Sequence, residues 1–312
     1  MFRQKKLLSG QNLANSLRVI PGVILSFIML LLVVQPAIAE YIDPGGVKVT
    51  TPFHKPEIKS LPLGDYEYAV RWERIPVATA YISSRRKHNT YIVETKIKTG
   101  SVIDIFYRLR HKSRSIFSAE DFRPMSFFMS QVENGRKKNR DITFFKNGKI
   151  KTERVTQGEQ QPTTEFKSNN QTLDPYTGSF LARAIPLKTG AEESFDIFNG
   201  RHRFLIVFKI EPKETIQIGE KTYNTIPASP KVTRLTETEP EKRLREARIW
   251  ITDDESRDIV KVESEVWVGS VTAELEKFTS LADIEAAEAA KAAMAKHATD
   301  GMITPEQPAE IK

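Results

Sequence analysis

The sequence predicts an all-β fold: an antiparallel barrel-like, half-barrel or sandwich sheet of roughly 11–13 strands with one or two short helices and a C-terminal Ala-rich helix. Three observations predict it. Asn-Gly pairs, which favour tight hairpin turns, recur between strand-like segments. Apolar and polar residues alternate with a period of two, as in the segment from Tyr66 to Trp72. Helix-forming patterns are sparse before residue 280.

The first 39 residues have the pattern of a secretory signal peptide. Their charged residues, all basic, are Arg3, Lys5, Lys6 and Arg18. An uncharged run from Val19 to Val34 follows, and Ala37-Ile38-Ala39 places small residues at −3 and −1. An uncleaved anchor is the alternative, although sixteen residues are fewer than the roughly 20 that span a bilayer. We expect export to the periplasm with cleavage after Ala39, and membrane contact only through this signal or peripherally.

The export segment changes the meaning of the net charge. The chain has 47 Lys and Arg against 40 Asp and Glu, a formal charge of +7, of which +3 is left without residues 1–39. So small a charge does not indicate nucleic acid, and we predict no such partner. The absence of Cys excludes a disulfide framework, a thiolate metal site and a cysteine nucleophile.

Between the ends, turn and cap residues predict the elements in order. Residues 40–58 are expected to be an extended lead-in, and residues 59–279 an antiparallel β domain. Its predicted tight turns are Asn134-Gly135, Asn147-Gly148, Asn199-Gly200 and Gly219-Glu220. Every position from Phe204 to Phe208 is apolar, which predicts a strand buried on both faces.

Three helices are predicted. Ser101 to Tyr107 suggests one turn of helix, and Asp174 to Ile185 has an Asp cap followed by Pro at the first helical position. The segment 280–300 is Ala-rich, with Ser280 and Asp283 as a capping-box pair. Residues 301–312 are expected to form a disordered tail.

The sequence contains no recognisable catalytic constellation. Hydrolase, zinc-protease, phosphate-loop and calcium-loop motifs are missing, and the five His residues are scattered. We therefore predict no catalytic residue, no metal site and no cofactor, and a protein that is not an enzyme. A hydrolase whose site is invisible in the sequence is a remote alternative.

A stripe of basic residues is the most unusual feature of the chain. Arg108, Arg110, Lys112 and Arg114 would lie on one face of a strand and could bind phosphate or carboxylate groups of an envelope lipid or an anionic glycan. The alternative is an outer or edge strand protected by charge. A second basic cluster, Arg136-Lys137-Lys138 with Arg140, is predicted to be an exposed loop tip.

Aromatic side chains are the candidates for the apolar part of a ligand. We predict that Tyr66, Tyr68 and Trp72 contribute to such a site. The wider aromatic set of the β domain could line a cavity or fill a sheet core, and the sequence leaves both open.

Several short segments carry a family resemblance. In chain order they are Gly64-Asp65-Tyr66-Glu67-Tyr68 with Trp72, Leu173-Asp174-Pro175 with Ala182-Arg183, Gly190 before Phe195, Gly219 with Glu220, Trp250 to Asp254 with Arg257 and Ile259, and Gly269. Together they resemble an uncharacterised family of exported bacterial proteins, domain of unknown function 3108. One departure is Ala78, where the family's turn after the first strand often has Gly. The resemblance implies an antiparallel barrel-like fold in the cell envelope and supplies no catalytic residues.

Two main functions follow from these patterns. In the first, a non-enzymatic envelope protein binds a lipid, glycan or other amphipathic or anionic envelope component on a curved sheet, as fold-level analogy with lipocalin-like and lipoprotein-carrier folds suggests. In the second, a structural or scaffolding module contacts another envelope protein through a sheet edge or the Ala-rich helix.

Overall fold

The structure is a computed structural model that describes residues 41–58, 60–237, 246–265 and 269–300, with side chains up to Met294. The predicted signal peptide and tail lie outside these residues. The first eight strands are β1 Gly64–Trp72, β2 Ile75–Lys87, β3 Thr90–Thr99, β4 Leu109–Ser118, β5 Pro124–Glu133, β6 Arg136–Phe144, β7 Lys149–Thr156 and β8 Glu159–Lys167. The others are β9 Thr172–Leu173, β10 Glu192–Phe198, β11 Arg203–Ile210, β12 Glu214–Ile218, β13 Lys221–Arg234, β14 Ala247–Thr252, β15 Ile259–Glu265 and β16 Ser270–Ser280. The helices are α1 Ser101–Asp104, α2 Pro175–Ala184 and α3 Leu281–Asp300.

All sixteen strands of the described residues belong to one sheet. Its order is β8-β7-β6-β5-β4-β3-β2-β1-β16-β15-β14-β13-β11-β10-β9, with β12 paired to β13. Neighbours are antiparallel except for the short parallel pair of β9 and β10. Because β1 pairs with β16, the sheet is continuous through the two ends of the β domain. The predicted all-β, antiparallel, barrel-like fold is confirmed.

The sheet curls until its two edges nearly meet. Phe166 of β8 and Phe198 of β10 lie thirteen strand positions apart in the sheet, yet their ring centroids are 5.0 Å apart. In a flat sheet, thirteen strand spacings amount to about 60 Å. The two edges therefore approach each other through side-chain packing. The sheet forms an open barrel, and the buried residues lie on its inner face.

The predicted strand number was too small, because polar and very short strands carry little periodic signal. β8 is exposed at most positions and contains Pro162, and β9 has two residues. The strand from Phe204 to Phe208 was predicted to be buried on both faces. Its inner face is buried, but Leu205 and Val207 on the outer face are only partly buried.

The turn predictions had mixed outcomes. Asn134 and Gly135 both have positive φ, as a type I′ turn requires. At the other two Asn-Gly pairs only the glycine has positive φ, and the Asn side chain instead accepts backbone N–H bonds, so these turns are of a different type. The first hairpin turns at Glu73 and Arg74, which both have positive φ, and Ala78 lies within β2 instead of a turn.

All three predicted helices are present. α1 has four residues, and α2 begins after Asp174, whose carboxylate accepts the N–H groups of Tyr176 and Thr177. α3 begins after Ser280, which is hydrogen-bonded to Asp283. None of the described helices has the length and apolar character needed to cross a bilayer.

A buried ion pair fastens the seam between the two sheet edges. Arg203 of β11, which is 3% exposed, donates from Nε to Asp196 Oδ1 at 2.8 Å and from Nη2 to Ser168 Oγ at 2.7 Å. Its guanidinium also stacks over the Phe166 ring at 5.5 Å. Ser168 and Phe166 come from the β8 side of the seam, whereas Asp196 and Arg203 come from the β10 side. One arginine therefore links both edges.

The described part of the lead-in, residues 41–58, lies along the same seam and contains a turn at residues 44–46. Arg203 Nη1 donates to Pro44 O at 3.2 Å, and Asn170 donates to Val49 O. Further along, His54 stacks on Phe195 with ring centroids 4.5 Å apart. The carbonyl oxygens of the lead-in thus accept hydrogen bonds from side chains at the seam, and these bonds hold the lead-in along this line.

Replacing Arg203 with Met should destabilise the fold strongly. The change leaves the Asp196 carboxylate buried without its cation, and such a loss costs about 3–5 kcal/mol. Urea unfolding of residues 40–312, followed by circular dichroism, measures the free energy of unfolding.

The matched control is Arg123→Met, because Arg123 makes its ion pair to Asp121 while 55% exposed. The free energy of unfolding of that variant should fall by less than about 1 kcal/mol. An equal decrease in the free energy of unfolding of the two variants would contradict the conclusion that the Arg203 ion pair stabilises the seam.

Candidate functional site

Helix α2 fills the interior of the open barrel. Its buried residues are Pro175, Tyr176, Thr177, Gly178, Phe180, Leu181, Arg183 and Ala184. Tyr176 accepts a hydrogen bond from Ser113 of β4 at 2.8 Å, and Phe180 packs edge-on against Phe117 of the same strand. The N-cap Asp174 is fully buried and accepts a bond from Ser115 Oγ at 2.9 Å. The helix is thus tied by polar groups to the inner face of β4.

An apolar cavity lies on the other side of α2, against β1, β2, β10, β11 and β13–β15. Its wall is mostly aromatic and aliphatic and includes Tyr66, Tyr68, Phe180, Phe195, Phe208 and Ile249. The space between the side chains totals about 990 Å³ with its open mouth, but the centre of a water molecule fits into only about 70 Å³ of it. The cavity is therefore narrow, partly open and lined for an apolar occupant.

A polar network borders this cavity. Arg183, in the last turn of α2, donates to Asp258 Oδ1 at 2.9 Å and to the backbone oxygen of Ser256 at 3.1 Å. The Tyr66 hydroxyl donates to the same carboxylate oxygen at 2.8 Å, and the Tyr68 hydroxyl donates to Ile259 O at 2.8 Å. Burial raises the pKa of both tyrosines, so both hydroxyls stay protonated and act as donors. The network anchors the C-terminal end of α2 to the β14–β15 loop.

Of the three aromatic residues predicted to bind a ligand, Tyr66 and Tyr68 lie in the cavity wall and Trp72 does not. Each tyrosine is 4% exposed and lines the cavity. Trp72 is the last residue of β1, opposite Val271 and Ile75, and is only half-buried. It is not part of the cavity wall.

The predicted basic stripe forms, but on the outer face of the sheet. Arg110, Lys112 and Arg114 alternate along β4 with buried inner residues, and Arg108 is exposed just before the strand. Arg110 is engaged by Asp104 of α1, with Nη1 to Oδ1 at 2.9 Å, and Arg114 lies 3.5 Å from a Glu94 oxygen. The stripe and the cavity tyrosines are therefore on opposite faces, and the structure does not combine them into one site.

The second basic cluster is a strand, and its prediction as a loop tip was wrong. Arg136 to Arg140 lie in β6, so alternate residues point to opposite faces. Lys138 and Arg140 share the inner face with the buried Ile142. Because this run of polar and charged residues contains no apolar residue, no period-two alternation indicated a strand here.

Two residues of the polar network, Arg183 and Asp258, were not among the site residues predicted from the sequence. Arg183 belongs to one segment quoted for the family resemblance, and Asp258 falls between Arg257 and Ile259 of another. A charged residue within an otherwise apolar, capped helix was the available signal for Arg183. No group of three or more metal-ligating side chains occurs among the residues that the structure describes.

These features define an open antiparallel barrel with a buried helix and an apolar cavity. The sequence profile described as "Protein of unknown function (DUF3108)" matches residues 67–276, and the chain belongs to this family. A comparison with curated proteins found no match.

Solved structures similar to the chain include a beta-barrel-like protein of the domain of unknown function DUF1849 from Brucella abortus. It has 10% identity and a TM-score of 0.49, over 70% of this chain and 98% of that protein. The hypothetical lipoprotein YmcC from Escherichia coli has 10% identity and a TM-score of 0.30, over 70% of this chain and 89% of that protein.

Two buried histidines should make the fold sensitive to acid. Burial, together with the charge of Arg140, lowers the pKa of His111 to about 4. Burial and then the charges of Arg234, Arg201 and other arginines lower that of His202 to about 2. Glu237 lies 3.8 Å from His202, but it is engaged by Arg234 at 2.7 Å.

Because both folded-state pKa values lie below the unfolded value of about 6.5, the unfolded chain takes up protons that the fold does not. The contribution of each histidine to the free energy of unfolding should be fully present above pH 6.5 and be lost as the pH falls below it. The expected loss is about 2 kcal/mol per histidine between pH 7 and 5. Urea unfolding at the two pH values measures this loss.

His202→Asn should reduce the loss between pH 7 and 5, whereas His88→Asn should not, because His88 lies in the exposed β2–β3 turn. The same pH dependence in the wild-type protein and the His202 variant would contradict the assignment.

Proposed function

We propose that this protein is an exported, non-enzymatic envelope protein that holds the hydrocarbon part of an amphipathic envelope molecule in its interior cavity. The observation that carries the proposal is the partly open, apolar cavity between α2 and the sheet. The signal-peptide pattern of residues 1–39 supports export.

The dimensions and lining of the cavity favour an acyl chain. Its walls are aromatic and aliphatic, and a narrow space suits a flexible chain of methylene groups better than a rigid ring system. Burying a chain there gains about 0.8 kcal/mol per methylene group. The polar part of the ligand would lie towards Arg183 and Glu193, the charged residues of the cavity wall.

The basic stripe has a separate role in this proposal, at the lipid surface. It begins next to an apolar tip, which we define as Val102, Ile105 and Phe106, with exposed fractions of 69%, 76% and 57%. Arg108 follows this tip by two residues and is exposed. Exposed apolar residues beside cations suit the surface of an anionic bilayer, where the side chains enter the interface and the cations meet lipid phosphates.

Ala182→Leu should abolish or strongly reduce ligand retention. Ala182 lines the cavity from α2, so a larger side chain occupies the space that the ligand needs. Native mass spectrometry and lipid extraction of protein purified from the periplasm measure the bound molecule.

The matched control is Ala286→Leu on the exposed face of α3, which should retain the ligand. A wild-type protein that carries no lipid would contradict the proposal. That outcome would favour the scaffolding alternative, which the exposed surface of α3 supports.

The triple variant Val102→Ser, Ile105→Ser, Phe106→Ser should bind anionic vesicles at least about tenfold more weakly than the wild-type protein, because it loses the apolar surface that enters the interface. Flotation with phosphatidylglycerol vesicles, compared with phosphatidylcholine vesicles, measures this binding.

The control Met125→Ser, Phe145→Ser removes exposed apolar side chains at the opposite end of the strands and should leave binding unchanged. If the wild-type protein does not float with anionic vesicles, or if both variants lose binding equally, the tip has no such role.

A further inference from the structure

Two arginines of neighbouring strands face each other on the inner face of the sheet. Arg140 of β6 is directly opposite Arg154 of β7. Both are half-buried and lie on the same face as the buried Ile142 and Thr152. Like charges directly opposite each other in a strand pair are destabilising, and partial burial strengthens their repulsion.

No carboxylate of the described residues offsets this repulsion at contact distance. The nearest acids along the strands, Asp141 and Glu153, alternate with the arginines and therefore point to the outer face. Within the described part of the chain, no Asp or Glu oxygen lies within 4.0 Å of the Arg140 or Arg154 guanidinium.

A third cation, Arg201, comes from the turn between β10 and β11. This turn lies against Arg140: Arg140 Nη1 donates to Asn199 O at 3.1 Å, and a Cβ on Gly200 would be 3.2 Å from Arg140 Cδ. Burial, followed by the charges of Arg201 and Arg154, lowers the pKa of Arg140 to about 10. Arg140 is thus under the electrostatic influence of two other guanidinium groups where the two sides of the barrel meet.

Most of the hydrogen-bond donors of this cluster have no partner in the described residues. A guanidinium has five N–H donors. Arg154 Nη2 donates to Pro162 O at 3.3 Å, while its Nε is buried and has no hydrogen-bond partner in that part of the chain. The single hydrogen bond of the Arg140 guanidinium there is the one to Asn199 O.

We propose that Arg140, Arg154 and Arg201 bind a phosphate group on the inner face of the barrel. A dianionic phosphate would cancel the repulsion of three cations better than a single carboxylate, and planar guanidinium groups pair with phosphate oxygens in two-point contacts. This site shares no residue with the wall of the apolar cavity, so it goes beyond the proposed function.

The test uses residues 40–312 of the wild-type protein with Arg140→Gln and Arg154→Gln. Titration calorimetry with sodium phosphate, against sodium acetate at equal ionic strength, should show phosphate binding that each variant weakens about tenfold or more. In buffer free of phosphate, both variants should melt at the same temperature as the wild-type protein or higher, because one like charge has been removed. An arginine with a purely structural role would show the opposite.

Further probes distinguish the source of the phosphate. Tighter binding of dispersed short-chain phosphatidic acid than of inorganic phosphate would indicate a lipid headgroup, and binding of inorganic phosphate alone would indicate the free ion. Ala182→Leu should leave phosphate binding unchanged, so the failure of one proposal is separable from the failure of the other.

Two results would overturn the inference. One is an equal response of the wild-type protein to phosphate and acetate. The other is phosphate binding that neither Arg140→Gln nor Arg154→Gln weakens. Arg123→Gln is the control, since that exposed arginine should not affect phosphate binding.

Discussion

The fold depends on closing a sheet that does not close by backbone hydrogen bonds. A sixteen-stranded sheet with two free edges would expose unpaired backbone groups and the aromatic side chains of its inner face. Arg203 links Asp196 of β10 to Ser168, which follows β8, in a site that also takes up backbone oxygens of the lead-in. Because these hydrogen bonds are directional, they fix the position at which the two sides of the sheet meet.

Closure gives the interior two different chemical environments. Around α2 the inner face is apolar, and the few polar groups, such as Arg183 and Asp258, bond to one another. Towards β6 and β7 the inner face is cationic: Arg140 lies opposite Arg154 and contacts the β10–β11 turn. An amphipathic ligand and a phosphate suit these two environments respectively, and neither environment exists in a flat sheet.

Much of the fold and part of the candidate site could be predicted from local patterns. The cap of α2 by Asp174 and the turn at Asn134-Gly135 follow from side-chain chemistry within a few residues, and both are confirmed. Tyr66 and Tyr68 were placed on one face by their spacing. Polar strands such as β8 and the basic start of β6 were missed because period-two reasoning needs apolar residues to mark a face.

The sequence by itself determined the antiparallel β class, the helix positions and the alternation that puts Arg110, Lys112 and Arg114 on one face, since these depend on neighbours in the chain. Only the tertiary structure decided which face is inside. Period-two alternation is the same on both faces of a strand, so the stripe could have pointed inwards with the tyrosines. The curvature of the sheet put the stripe outside and brought Arg140 against the β10–β11 turn, although the two are far apart in the chain and ten strand positions separate β6 from β11.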